Sequence, residues 1–143
     1  MRALAMAALA TALVSVAHPS QSETLFSCGA SAGYGFYPVG PFSPEAKWEK
    51  DGISKGEIQL VLINKEPDIL IRDVIGMSSA RAQGGHVVVI DATDAGYVSV
   101  LVTYPEGAKE LYTFDSERRK VFWTQHKFGV AIDKVAAFVA DCL

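Results

Sequence analysis

Past residue 28, apolar and polar side chains alternate in runs of six to eight positions rich in Val, Ile, Tyr, Phe and Thr. Successive side chains of a strand point to opposite faces, so this period of two predicts half-buried β-strands. GEIQLVLI (residues 56–63) reads as one strand, NKEPD as its turn, and ILIRDV (residues 69–74) as the return strand. HVVVIDA (residues 86–92) and YVSVLVTY (residues 97–104) flank TDAG, whose Asp and Gly suit a tight reversal. ELYTFD (residues 110–115), the turn SERR and KVFWTQHKF (residues 120–128) continue the meander.

Two stretches need more than the alternation. In CGASAGYGFYP, Cys28, Ala30, Ala32, Tyr34 and Phe36 fall on one face of a strand, and Gly29, Ser31, Gly33 and Gly35 fall on the other. The small face lets a neighbouring backbone or a large side chain come close. DKVAAFVADCL at the C-terminus has alanines that suit a helix and an apolar alternation that suits a buried strand; a strand is expected. The sum is an all-β fold of seven or eight short antiparallel strands, either an up-and-down β-barrel or a two-sheet β-sandwich, with the sequential hairpins favouring the barrel.

The N-terminal segment breaks this pattern. MRALAMAALATALVSVAHPSQSET has one cation, an apolar run over residues 3–16 and then a polar stretch with a proline, the layout of a secretory signal peptide. The apolar run is shorter than the roughly 20 residues a spanning helix needs, so no transmembrane segment is expected. Residues 1–22 are assigned to the leader, with cleavage after Ala17 or after Ser22, and residues 23–143 to a single β domain exported to the periplasm or the cell exterior.

Charge and cysteine content then narrow the class. The whole chain carries 13 Lys and Arg against 16 Asp and Glu. Its densest basic cluster is only Arg118, Arg119 and Lys120 at an expected turn, so nucleic acid is excluded as a partner. Cys28 and Cys142 are the only cysteines, and in an oxidising compartment an even pair reads as a disulfide between the two ends of the domain. LFSC also resembles a lipoprotein signal, but a polar stretch separates it from the apolar run and acylation would leave Cys142 without a partner.

Candidate chemistry is sparse. GASAG (residues 29–33) matches the G-x-S-x-G nucleophile elbow, which needs a parallel strand before the serine and a helix after it. YGFYP cannot begin that helix, so Ser31 is read as a strand residue and no catalytic residue is assigned. His86 and His126 stand forty residues apart without ligand spacing, DATDAG lacks the length and terminal Glu of a calcium loop, and neither metal nor cofactor is expected. The aromatics of FWTQH are read as core.

The leader, a cysteine on the first strand, a meander and a cysteine at the extreme C-terminus together resemble the small periplasmic β-barrel inhibitors of lysozyme in architecture. That resemblance implies a protein-binding module. Those inhibitors carry a Ser/Lys-bearing loop that enters the enzyme cleft, and GMSSARAQGG (residues 76–85) has serines and an arginine without that pattern.

The expectation is therefore a secreted or periplasmic non-enzymatic binding or interaction module, inhibitor-like and monomeric, whose partner is another protein or a small ligand. Irregular loops carry recognition on a rigid sheet, which selects the loops over residues 76–85 and 38–50. The named candidates are Met77, Ser78, Ser79, Arg81, Gln83 and His86. The alternatives are a small serine hydrolase acting through Ser31 and an envelope structural protein or lipoprotein.

Overall fold

The computed structural model describes residues 21–143, so all but the last two residues of the expected leader lie outside the described part. Eleven strands and no helix are present among the described residues. They are β1 (Ser22–Cys28), β2 (Ser31–Tyr37), β3 (Lys47–Ile53), β4 (Glu57–Ile63), β5 (Glu66–Arg72), β6 (Met77–Ser79), β7 (His86–Ala92), β8 (Tyr97–Thr103), β9 (Lys109–Asp115), β10 (Lys120–Lys127) and β11 (Lys134–Asp141). A four-stranded sheet has the order β1-β4-β5-β6, and a seven-stranded sheet has the order β3-β2-β11-β10-β9-β8-β7. All pairings are antiparallel.

Of the two expected architectures the sandwich is the one realised, and the strand count exceeds the seven or eight read from the pattern. The three strands that alternation did not mark are β1, β3 and β6. Strand β3 is an edge strand with the sequence KWEKDGI, paired only with β2; its charges replace the apolar face that an inner strand would show. The stretch from Cys28 to Tyr37 is divided at Gly29 and Ala30, where the chain leaves the small sheet and enters the large one.

The β4–β5 hairpin is tighter than NKEPD suggested. Asn64 and Lys65 both take positive φ, 52° and 70°, the signature of a two-residue turn whose twist matches the strands it joins. Glu66, Pro67 and Asp68 are therefore strand residues, with Pro67 opposite Leu62. Pro67 is tolerated because β6 pairs with β5 only at Leu70, Ile71 and Arg72 and asks nothing of its missing N–H.

The core lies between the sheets. Ile58, Leu60 and Ile69 come from the small sheet, and Val100, Val102, Tyr112, Phe114, Val121, Trp123 and Phe138 from the large one. An aromatic column runs through it: Phe26 on Phe114 at 5.0 Å between ring centroids, Phe114 near Tyr112, Tyr112 on Trp123 at 5.4 Å, and Trp123 on Phe138 at 4.2 Å. Burying one such ring stabilises by about 1.5 to 3 kcal/mol, and offset stacking adds about 0.5 to 1.5 kcal/mol per pair. Gly33 of β2 faces β11 so closely that a Cβ there would lie 1.9 Å from the Ala137 carbonyl oxygen. That contact is the reason for the small face of GASAGYG.

Cys28 and Cys142 form the expected disulfide, with Cα atoms 3.8 Å apart. Around it the Gly29 N–H donates to the Asp141 carbonyl and the Leu143 N–H to the Ser27 carbonyl, each at 2.8 to 2.9 Å. The last residue of β1 and the residue after β11 are thus joined where the two sheets meet.

Candidate functional site

The inward face of β9 carries Glu110, Tyr112 and Phe114, and that of β10 carries Val121, Trp123 and Gln125. The register pairs Glu110 with Gln125, so two polar side chains share the end of an otherwise apolar layer. Glu110 is 5 % exposed. Its Oε2 accepts from the Tyr112 hydroxyl at 2.7 Å and the Tyr104 hydroxyl at 3.2 Å, and its Oε1 accepts from Gln125 Nε2. All three donors are neutral, and Glu110 forms no ion pair among the described residues. Burial, then the Glu110 charge and the hydrogen bond to it, push the Tyr104 and Tyr112 hydroxyls well above the usual phenol value.

Glu110, Gln125 and Tyr104 border a cavity of about 270 Å³ that opens between the sheets. Ile69, Ile71, Trp123 and Phe138 give it apolar walls. Four carboxylates line it, Asp51, Asp73, Glu106 and Glu110, against two lysines, Lys127 and Lys134. Lys134 is engaged: its Nζ donates to Asp51 Oδ2, which also accepts from the Tyr37 hydroxyl at 2.9 Å. Burial alone would raise the Asp51 carboxyl, but hydrogen bonds from Lys134, Tyr37 and the Gly52 N–H outweigh it and hold the group below the usual carboxylate value. Trp123 Nε1 is buried without a hydrogen-bond partner.

The cavity runs on into two further depressions at the same end of the sandwich. One, of about 490 Å³, shares Glu106, Ala108, Lys127 and Lys134 with it; the other, of about 270 Å³, shares Tyr37, Val130, Ala131 and Ile132 with the first depression and extends to Pro38, Pro41 and Phe42. The β2–β3, β8–β9 and β10–β11 connections form this surface, with the β5–β6 turn contributing Asp73.

Of the residues singled out from the sequence, Ser78 and Gln83 line the cavity. The others serve the fold at its rim or lie away from the lining. Met77, Ser78 and Ser79 are not loop residues but strand β6, paired to β5, because Ser78 Oγ donates to the Ile71 carbonyl and Ser79 Oγ to the buried Asp68. Arg81 donates to the Pro67 carbonyl at 2.6 Å and pairs with Glu66, so its guanidinium is already engaged. His86 is the exposed first residue of β7.

Ser31 is buried at the head of β2, where its Oγ accepts from the Ile53 N–H at 3.4 Å. The strands flanking β2 are β3 and β11, whereas His86 and His126, the histidines among the described residues, stand on β7 and β10, so neither is on a strand beside it. Among the described residues, no three of His, Cys, Asp and Glu cluster as metal ligands would, and no helix is long and apolar enough to cross a membrane.

The residues that sequence reasoning missed are Glu110, Gln125, Tyr104, Asp51 and Lys134. Glu110 and Gln125 left a signal, since each occupies a position that the alternation of its own strand assigns to the core. No protein-family model matches the chain, and neither do any curated protein sequences or solved structures.

Proposed function

We propose that the protein is an exported, non-enzymatic binding module that holds a protein partner against the end of the sandwich built by the β2–β3, β5–β6, β8–β9 and β10–β11 connections. The observation that carries this reading is the set of large apolar side chains left in solvent on those turns: Val39 and Phe42 on β2–β3, Val74 and Ile75 on β5–β6, with Phe42 72 % and Ile75 92 % exposed. Single exposed apolar residues are ordinary, but several on turns that border one concave polar surface match the anatomy of a recognition site. The leader-like N-terminus and the Cys28–Cys142 disulfide support export.

Cross-linked capture from native periplasm tests this with three baits: the wild type, a Phe42→Asp/Ile75→Asp double variant, and Glu117→Lys in the β9–β10 turn at the opposite end. A partner held by the wild type and by Glu117→Lys, and lost by the double variant, is the expected result. Capture that is indifferent to the double variant sinks the assignment.

A further inference from the structure

We infer that the cavity at Glu110 is a binding site for an organic cation, a primary ammonium or guanidinium group on a short aliphatic stem. The inference deepens the binding-module reading, on which it rests for its biological setting, by naming the chemistry that the end of the sandwich accepts. A buried carboxylate is costly unless a cation or a full set of donors compensates it. Glu110 has three neutral donors, and an ionised carboxyl offers about four acceptor sites, so Oε1 has room for one more donor beside Gln125. Four lining carboxylates against two lysines, one of them already paired with Asp51, set the sign of the field in the cavity.

The walls define the rest of the ligand. Trp123, stacked between Tyr112 and Phe138, and Phe138 itself line the cavity and give it an aromatic wall against which an alkyl stem can lie. Trp123 is 4 % exposed and its Nε1 is a buried donor lacking an acceptor, which a ligand carbonyl or carboxyl next to the stem would satisfy. The volume of about 270 Å³ is below the range typical for drug-sized ligands and suits a single side chain or a small amine. Lys127, which forms no ion pair among the described residues, stands in the lining and opposes cation entry.

The test uses the folded full domain carrying Trp48→Phe, so that Trp123 is its only tryptophan. Trp123 fluorescence and its indole N–H resonance are followed on titration with agmatine, Nα-acetyl-lysine methylamide and Nα-acetyl-arginine methylamide, with Nα-acetyl-citrulline methylamide as the uncharged control. Saturable change with the cations and none with the citrulline derivative is expected. Glu110→Gln should weaken it by about tenfold or more. Glu106→Gln, an exposed rim change that leaves the core intact, should weaken it less, and Lys127→Ala should strengthen it.

Tighter binding of the acetylated amides than of agmatine identifies a polypeptide side chain as the source, and the reverse order identifies a free amine. The inference is overturned by an equal response to the citrulline derivative, by the absence of any saturable response, or by weakening on Lys127→Ala. None of these outcomes depends on whether the Phe42→Asp/Ile75→Asp variant loses a protein partner, so the two readings fail separately.

Discussion

Tyr112 donates its hydroxyl hydrogen to Glu110 Oε2 at 2.7 Å, although the two residues are only two positions apart on one strand. Both side chains face the space between the sheets, Tyr112 fully buried and Glu110 nearly so. Replacing Tyr112 by Phe keeps the ring in its stack against Trp123 and removes one of the three donors that compensate the carboxylate. The cost should be about 1 to 3 kcal/mol, read as a lower urea midpoint with an unchanged slope. Tyr104→Phe should cost less, because its bond is longer, at 3.2 Å, and its side chain is only half-buried. Equal, negligible losses for both would mean that Glu110 needs neither donor.

Three tyrosines should resist alkali together. Burial, then the hydrogen bond to Asp51 and its charge, push Tyr37 up to about 12, and burial with the Glu110 charge raises Tyr104 and Tyr112 further. Since the folded state holds these protons more tightly than the unfolded chain does, their contribution to stability is complete below pH 10 or so and drains away as pH rises beyond it. Absorbance at 295 nm followed against pH should show a late rise that coincides with unfolding. Early, reversible ionisation of all five tyrosines in a chain that remains folded would contradict this.

The disulfide closes a loop with a sequence separation of 114 residues. On the chain-entropy model a loop of that size is worth about 4 to 5 kcal/mol, acting mainly by restricting the unfolded chain. Reduction should therefore lower the unfolding midpoint strongly while the far-ultraviolet circular dichroism stays that of a β protein. Intact mass with alkylation should show two modified cysteines only after reduction. A thiol that alkylates without reductant, or a lipid-sized increment on the exported chain, would restore the lipoprotein alternative.

The position of β1 bears on where the proposed leader would be trimmed. Ser22 is the first residue of β1, pairing with Ile63, and Gln21 accepts a hydrogen bond from the Asn64 N–H at 2.8 Å. Cleavage after Ser22 would remove both from the edge of the small sheet, whereas cleavage after Ala17 leaves them in place. Mass spectrometry of the exported protein should find an N-terminus at His18. A mature chain starting at Glu23 would show that the Gln21–Asn64 pairing is dispensable.

Strands were legible where one side is buried and the other wet. The strands beginning near Glu57, Tyr97, Lys109 and Lys120 are found within a residue or so of the expected bounds, and His86–Ala92, an apolar run of which only Val87 is buried, has its expected bounds. The pattern was silent where burial is absent or local. Strand β3 pairs with β2 alone and, apart from Ile53 at its end and Asp51, sends little inward, and β6 is three residues kept in place by Ser78, Ser79 and the buried Asp68. Reading β6 as a loop follows from the irregular, glycine-bearing pattern of IGMSSARAQGG, in which two serine hydroxyls nevertheless bond to a neighbouring strand. The cavity was the least legible part. It joins Asp51 of β3 to Lys134 of β11, 83 residues away, and no spacing within one segment encodes that meeting.

Strand β11 comes last of the eleven in chain order, yet it lies in the middle of the large sheet, with β10 on one side and β2 on the other. Strands β2 and β3 have no docking edge on the meander until residues 134–141 exist and have added to β10. An incomplete chain emerging from the ribosome can therefore form hairpins but not the sandwich, because the keystone is synthesised after everything it locks. If the chain is exported as proposed, a nascent chain held open in this way is the form a secretion channel would thread, and closure would fall to the compartment where Cys28 and Cys142 are oxidised.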